Sequence, residues 1–160
     1  MTGTLTLRNR HRTRRVDLSC LRRIVQALLR DTHQEEAFDL GVYLVAAAEM
    51  TRFNETFLRH QGSTDVITFN YSEPPGPPGL QGEIFVCLDE AVSQARRFHT
   101  TWQSELVRYV VHGVLHLLGW DDRDTRARRR MKAAEDALVR RLARQFVFRS
   151  LSRPRTRSRT

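Results

Sequence analysis

The segment at residues 110–124, VVHGVLHLLGWDDRD, combines the residue types of a metal site. His112 and His116 are four residues apart, so on a helix both imidazoles project from the same face. Two nitrogens in that arrangement can bind one zinc ion. Gly119 follows three residues later and can adopt the left-handed conformation that ends a helix and reverses the chain. The segment therefore predicts a metal site at a helix–turn.

The spacing also predicts a third ligand. Asp122 lies six residues after the second histidine, where the reversed chain would bring a side chain back to the metal. A carboxylate oxygen is an acceptable zinc ligand, and three protein ligands leave a fourth position open, which favours a catalytic site. Asp121 and Asp124 are alternative ligands, although Asp124 is well placed to cap the next helix and Asp121 to position a ligand. Trp120 is expected to pack beneath the turn.

Zinc peptidases that use the spacing HxxxHxxGxx(H/D) place a glutamate directly after the first histidine as a general base. This chain has Gly113 at that position, and glycine has no side chain to accept a proton. A peptidase or amidase would need a base from elsewhere, such as Glu83 or Asp121. The segment thus predicts a zinc site without the base of these peptidases.

The positive charge of the chain is concentrated at its two ends. The formal net charge is +9, and residues 146–160 contain five arginines and no acid. Without these and the five arginines of residues 1–15, the chain has 17 basic and 18 acidic groups. This distribution indicates binding of a polyanion such as RNA, although basic termini can also be simply solvated. The arginines of the N-terminal group are Arg8, Arg10, Arg12, Arg14 and Arg15.

Length and composition indicate one globular domain. The chain has 160 residues, of which 40% are hydrophobic, and no run approaches the roughly 18 apolar residues of a membrane helix. The N-terminus lacks the pattern of a secretory signal. Cys20 and Cys87 are far apart and are interpreted as reduced core thiols. These features predict a cytoplasmic protein.

The order of elements predicts an α/β (α+β) fold with about four strands and about five helices. The single domain is expected to span residues 1–148, and the basic tail at residues 149–160 is expected to be disordered. Asp17 is expected to cap the first helix, Asp89 to start the third and Ser104 to open the helix that carries the histidines. The predicted strands are residues 4–9, 38–46, 64–71 and 82–88; the predicted helices are residues 17–31, 46–58, 89–99, from 104 onwards, and 125–145.

Three segments resemble the YbeY family, bacterial endoribonucleases that mature ribosomal RNA. HGVLHLLGWDD resembles the family signature HGxLHLxGxDH, with Asp122 where the family usually has a third histidine. FNETFLRHQGSTDVITF resembles an upstream family segment, and GEIFV resembles a family strand in which Glu83 replaces an aspartate. The resemblance covers about residues 5–145. The residues that match the family are His112, Gly113, Leu115, His116, Leu117, Gly119 and Asp121 in the first segment, and Asn54, Arg59, Thr64, Asp65, Val66 and Phe69 in the second.

The resemblance implies a mixed sheet with helices packed around it and a zinc ion, one per chain, at the base of a basic cleft. It also implies cleavage of single-stranded RNA during maturation and quality control of small-subunit ribosomal RNA. The expected partners are ribosomal RNA and the small subunit, with ribosomal proteins and an assembly GTPase as further candidates and no membrane.

The hypothesis for the mechanism is that zinc acidifies a water molecule and polarises a phosphodiester oxygen. Arg59 would stabilise negative charge on the phosphoryl group, while Asn54 and Asp121 would position other groups. The arginines at residues 8–15 would contact RNA phosphates. The non-catalytic alternative is a ribosome assembly factor in which zinc only braces the turn.

Overall fold

The fold is an α+β domain, as predicted. The structure is a computed structural model that describes residues 3–33, 37–57, 64–72 and 79–152. Within these ranges it contains four strands, five α-helices and a short 3-10 helix. They are β1 (Gly3–Asn9), α1 (Leu18–Thr32), β2 (Phe38–Val45), α2 (Ala47–Phe57), β3 (Val66–Asn70), β4 (Leu80–Cys87), α3 (Leu88–Phe98), α4 (Trp102–Leu117), α5 (Thr125–Gln145) and η1 (Phe148–Leu151).

The four strands form one mixed sheet in the order β1-β2-β4-β3. β2 lies between β1 and β4 and is parallel to both, whereas β3 runs antiparallel to β4 at the edge. Parallel neighbours require a crossover connection, which α1 supplies between β1 and β2. Helices on both faces bury the central strands, which explains the nearly continuous apolar sequence of β2.

The two faces of the sheet carry separate hydrophobic clusters. The larger cluster joins β1, β2 and β4 to α1, α4 and α5, and it includes Ile84. The smaller one lies under α2, where the Phe53 ring centroid is 4.6 Å from that of Phe85. Successive residues of a strand face opposite ways, so α4 and α2 cover opposite faces of β4.

A glycine lets α4 lie close to the sheet. A Cβ atom at Gly113 would be 2.8 Å from Cγ2 of the buried Ile84, which is closer than packed carbon atoms approach. The position where zinc peptidases have a glutamate therefore faces the sheet in this chain. Gly113 is a packing residue.

Gly113→Ala is expected to lower the free energy of unfolding. Alanine gains about 1 kcal/mol in helix propensity, but overpacking a core costs typically about 1–3 kcal/mol, so we expect a net loss of up to about 2 kcal/mol. Urea denaturation measures the change. Because the obstructing atom belongs to Ile84, the Gly113→Ala/Ile84→Ala double variant should lose less stability than the sum of the single variants. If the stability losses of the two single variants simply add up in the double variant, the contact with Ile84 does not limit the size of the side chain at residue 113.

The helix starts differ in part from the prediction. Asp17 caps α1 as predicted, with its carboxylate accepting a hydrogen bond from the Cys20 amide. α4 begins at Trp102, before Ser104, because the Thr101 side chain accepts a hydrogen bond from the Ser104 amide and caps the helix. Asp89 lies inside the first turn of α3, where it accepts a hydrogen bond from the Ala47 amide at 2.7 Å. In α4 a neighbouring residue takes the cap, whereas in α3 the Asp89 carboxylate is engaged by Ala47, which is distant in sequence, and Cys87 makes no side-chain cap.

The packed part of the chain extends beyond the predicted boundary at residue 148. Leu151 is fully buried, and its carbonyl oxygen accepts a hydrogen bond from the Asp17 amide at 2.9 Å. The Gln103 amide nitrogen donates to the Ser152 hydroxyl at 2.6 Å. Residues 149–152 therefore pack against α1 and α4, whereas residues 153–160 of the predicted tail lie outside the described residues.

Cys20 and Cys87 are buried free thiols, as predicted from their spacing. None of the helices in the described ranges is both long and apolar enough to cross a membrane.

Candidate metal centre

The turn after α4 has the conformation predicted for it. α4 ends at Leu117, and Gly119 has a φ of 98°, in the left-handed region that favours glycine. The Trp120 amide donates to the Leu115 carbonyl oxygen at 3.0 Å, which reverses the chain. The prediction that Trp120 packs beneath the turn was wrong, because the residue is 41% exposed. The turn is stabilised by its backbone hydrogen bonds and does not need that ring beneath it.

The reversed chain brings the three predicted ligands together. The Nε2 atoms of His112 and His116 are 3.1 Å apart. Oδ2 of Asp122 is 3.4 Å from Nε2 of His116 and 3.9 Å from Nε2 of His112. In a tetrahedral site with metal–ligand bonds of about 2.0–2.1 Å, ligand atoms are about 3.4 Å apart. The donor set and its spacing therefore fit a small divalent metal ion.

The competing aspartates have other partners. Asp124 caps α5 as predicted, because its carboxylate accepts a hydrogen bond from the Ala127 amide at 2.8 Å. Asp121 accepts hydrogen bonds from the backbone amide and Nε of Arg123, and these lower the pKa of Asp121. Within the described ranges, His112, His116 and Asp122 form the one group of three or more metal-ligating side chains close enough to share an ion.

Glu135 contacts the predicted ligand cluster and was not among the residues predicted from the sequence. Its Oε1 is 2.9 Å from Nδ1 of His112, and the residue is only 5% exposed. Because an ionised carboxylate only accepts hydrogen bonds, Nδ1 carries the proton and Nε2 is free to bind a metal. The hydrogen bond to Glu135 raises the pKa of His112.

Glu135 is ionised despite its burial. Burial favours the neutral form, but hydrogen bonds from His112 and Arg108 outweigh this and lower the pKa of Glu135. Nη1 of Arg108 lies 2.7 Å from Oε2. The sequence contains one signal for this role: Glu135 follows Met131 by four residues and precedes Val139 by four, so it lies on the buried stripe of α5. A carboxylate on an apolar stripe requires a buried partner.

A cavity of about 690 Å³ opens beside His112 and Asp122, between α4 and α5. Its size is typical of ligand sites. The basic side chains that line it are Arg108, Arg128, Arg129 and Lys132, and the acidic ones are Asp65, Asp122, Glu135 and Asp136.

The N-terminal arginines lie at the other end of α4. The Arg14 guanidinium is 5.3 Å from the ring centroid of Trp102, the first residue of α4. Leu117, the last residue, lies next to Gly82 at the start of β4. A 16-residue helix with a rise of 1.5 Å per residue is about 24 Å long. RNA binding by the N-terminal arginines therefore stays a prediction, and their position far from the metal centre does not support it. These arginines are Arg8, Arg10, Arg12, Arg14 and Arg15.

Other residues singled out in the sequence also lie away from the cluster. Glu83 is between two residues that face α4, so it points to the opposite face of the sheet, where it accepts a hydrogen bond from the Tyr71 hydroxyl at 2.6 Å. This placement removes it as a peptidase base. Asn54 is buried on α2, which covers that opposite face. Arg59, the predicted catalytic residue, lies outside the described residues.

Comparisons with known proteins identify the family to which the chain is similar. A sequence profile of the family described as "Endoribonuclease YbeY" matches residues 6–143. The chain is 33% identical to an endoribonuclease YbeY of Salinibacter ruber, covering 82% of this chain and 87% of that protein. It is 32% identical to one of Syntrophotalea carbinolica, covering 91% of this chain and 99% of that protein.

A solved structure shows the same fold. The solution structure of a Thermotoga maritima protein, 22% identical in sequence, superimposes with a TM-score of 0.64 and covers 98% of this chain and 100% of that one. The profile match covers most of the chain and includes all three predicted ligands. The chain therefore belongs to the endoribonuclease YbeY family.

Proposed function

We propose that the chain is a zinc-dependent endoribonuclease that cleaves single-stranded RNA during maturation and quality control of small-subunit ribosomal RNA. The observation that carries this proposal is the convergence of His112 Nε2, His116 Nε2 and Asp122 Oδ2 beside a cavity with basic side chains. The family match supports RNA as the substrate. The resemblance to the family supports ribosomal RNA and the small subunit as partners, with ribosomal proteins and an assembly GTPase as further candidates.

The donor set favours zinc, one ion per chain. Imidazole nitrogens suit zinc, and a carboxylate oxygen is an accepted third ligand. When bound, the ion would supply Lewis acidity towards a phosphodiester and lower the pKa of water. Glu135 would hold the His112 ring in the orientation and tautomer that this binding requires. The buried free thiols support a reducing, cytoplasmic setting.

A cleavage assay tests the proposal directly. Zinc-loaded protein should cut a single-stranded oligoribonucleotide and leave the same sequence intact in a duplex, and cleavage should stop in EDTA and return with zinc. Protein that carries zinc and binds small subunits, yet cuts no single-stranded RNA, would instead be the non-catalytic assembly factor.

Arg59→Ala is expected to lower the rate of RNA cleavage by about 10²–10³-fold, because a donor aimed at developing charge on a phosphoryl group contributes on that scale. Elemental analysis should show unchanged zinc, and thermal unfolding should show unchanged stability. Arg52→Ala, which removes an exposed arginine of α2, is the matched control and should cleave at the wild-type rate. Equal rates for both variants would show that Arg59 has no catalytic role.

A further inference from the structure

Among the described residues, two cations that line the cavity beside the metal centre make no ion pair with an acid. Of the cavity's four basic side chains, Arg108 binds Glu135 and Asp136, with nitrogen–oxygen distances of 2.7 and 2.6 Å. Lys132 binds the same two carboxylates at 3.3 Å each. These four groups therefore balance one another.

The remaining acids also have assigned partners. Asp122 belongs to the metal cluster, and the Asp65 carboxylate accepts hydrogen bonds from the Val66 amide and the Thr64 hydroxyl. Arg128 and Arg129 are left. The Arg128 guanidinium has a long contact of 3.4 Å with the Thr125 hydroxyl, and Arg129 makes no ion pair with any residue in the described part of the chain. Both side chains are exposed and line the cavity.

We propose that Arg128 and Arg129 bind the phosphate backbone of the RNA strand next to the bond that is cleaved. The strand would enter the cavity over the first two turns of α5 and reach His112 and Asp122 from that side. Free guanidinium groups suit phosphate, because they offer several planar donors and remain charged. This assignment rests on the proposed function and adds the path of the substrate to it.

Arg128 and Arg129 are better candidates for this phosphate contact than the N-terminal arginines because of where they lie, and not because of the total charge. Both line the same cavity as His112, whereas Arg14 lies at the opposite end of α4. Arg10 is already paired with Glu49 at 2.9 Å. A phosphate bound beside the metal ligands needs cations that line the same cavity, and α5 supplies these two.

The test compares two double variants of the same helix. Arg128→Ala/Arg129→Ala removes the proposed contacts. Arg140→Ala/Arg144→Ala makes the same change in charge and in residue type, at exposed arginines that line a separate pocket. Binding of a fluorescein-labelled single-stranded oligoribonucleotide is measured by anisotropy over a series of KCl concentrations. Circular dichroism and thermal unfolding confirm that both variants are folded.

The salt dependence gives a quantitative expectation. For single strands the slope of log K against log salt is about −0.7 per phosphate contact, so loss of two contacts should reduce its magnitude by about 1.4. We expect the affinity of Arg128→Ala/Arg129→Ala to fall by about tenfold or more at moderate salt, and that of the control to fall by no more than about twofold. Equal slopes and affinities for the two double variants would overturn the proposal.

Cleavage and binding separate this inference from the proposed function. In EDTA cleavage should stop, yet the difference in RNA affinity and salt slope between Arg128→Ala/Arg129→Ala and the Arg140→Ala/Arg144→Ala control should remain, since it depends on the arginines and not on the metal. If wild-type protein binds RNA through Arg128 and Arg129 but never cuts it, the proposed function fails and the inference holds. If wild type cuts RNA and the Arg128→Ala/Arg129→Ala variant binds and cuts as well as the control, the inference fails and the function holds.

Discussion

Asp122→Ala is expected to lose the bound zinc and with it RNA cleavage. Asp122 Oδ2 is the third corner of the ligand triangle, at 3.4 Å and 3.9 Å from the two histidine nitrogens. Removing a hydrogen-bond partner of a ligand costs about 10–100-fold in metal affinity, and removing a ligand itself should cost more. Elemental analysis after dialysis should show about one zinc per wild-type chain and almost none in the variant.

Two further variants test whether Asp122, and not the neighbouring Asp121, is the third ligand. Asp122→His supplies an imidazole nitrogen, which also suits zinc, so it should keep its zinc and its cleavage. Asp121→Ala removes the neighbouring carboxylate, whose partner is Arg123, and should also keep the zinc. If Asp121→Ala loses the metal while Asp122→Ala retains it, the third ligand has been assigned to the wrong aspartate. A wild type that binds no metal would contradict the metal-dependent function altogether.

Glu135→Ala is expected to destabilise the protein by about 3–5 kcal/mol. Glu135 is buried and contacts Arg108, His112 and Lys132, so its removal leaves His112 Nδ1 without an acceptor and Arg108 and Lys132 with Asp136 alone. Breaking a buried ion pair from one side costs about this much, because the remaining charge loses its compensation. The change should appear as a lower midpoint in urea denaturation of the metal-free protein.

A more conservative variant separates stability from metal binding. Glu135→Gln keeps the size of the side chain and an oxygen that can accept from His112, but it loses the charge. We expect it to fold and to bind zinc about 10–100-fold more weakly in a competition titration with a chelator. Asp136→Ala is the matched control, because Asp136 shares Arg108 and Lys132 but makes no contact with His112. Wild-type affinity in Glu135→Gln would show that Glu135 is only structural.

The sequence by itself determined the candidate ligand triad and the order of the elements. His112, His116, Gly119 and Asp122 lie within eleven residues, and the helix period together with one left-handed turn sets their relative positions. The caps at Asp17 and Asp124 and the span of α5 are local in the same way. Such features depend on nearby residues and do not require a particular packing of the rest of the chain.

Only the tertiary structure decided which distant residues join that triad. Glu135 lies 23 residues beyond His112, and its contact exists because α5 packs against α4. Glu83 points away from α4 because α4 packs on the other face of β4, and the sequence does not specify which face α4 covers. Total charge indicates the termini as basic sites, whereas Arg128 and Arg129 line the cavity beside the candidate ligands and make no ion pair within the described ranges. Contacts between distant residues depend on how helices and strands pack, and neither spacing nor composition specifies this packing.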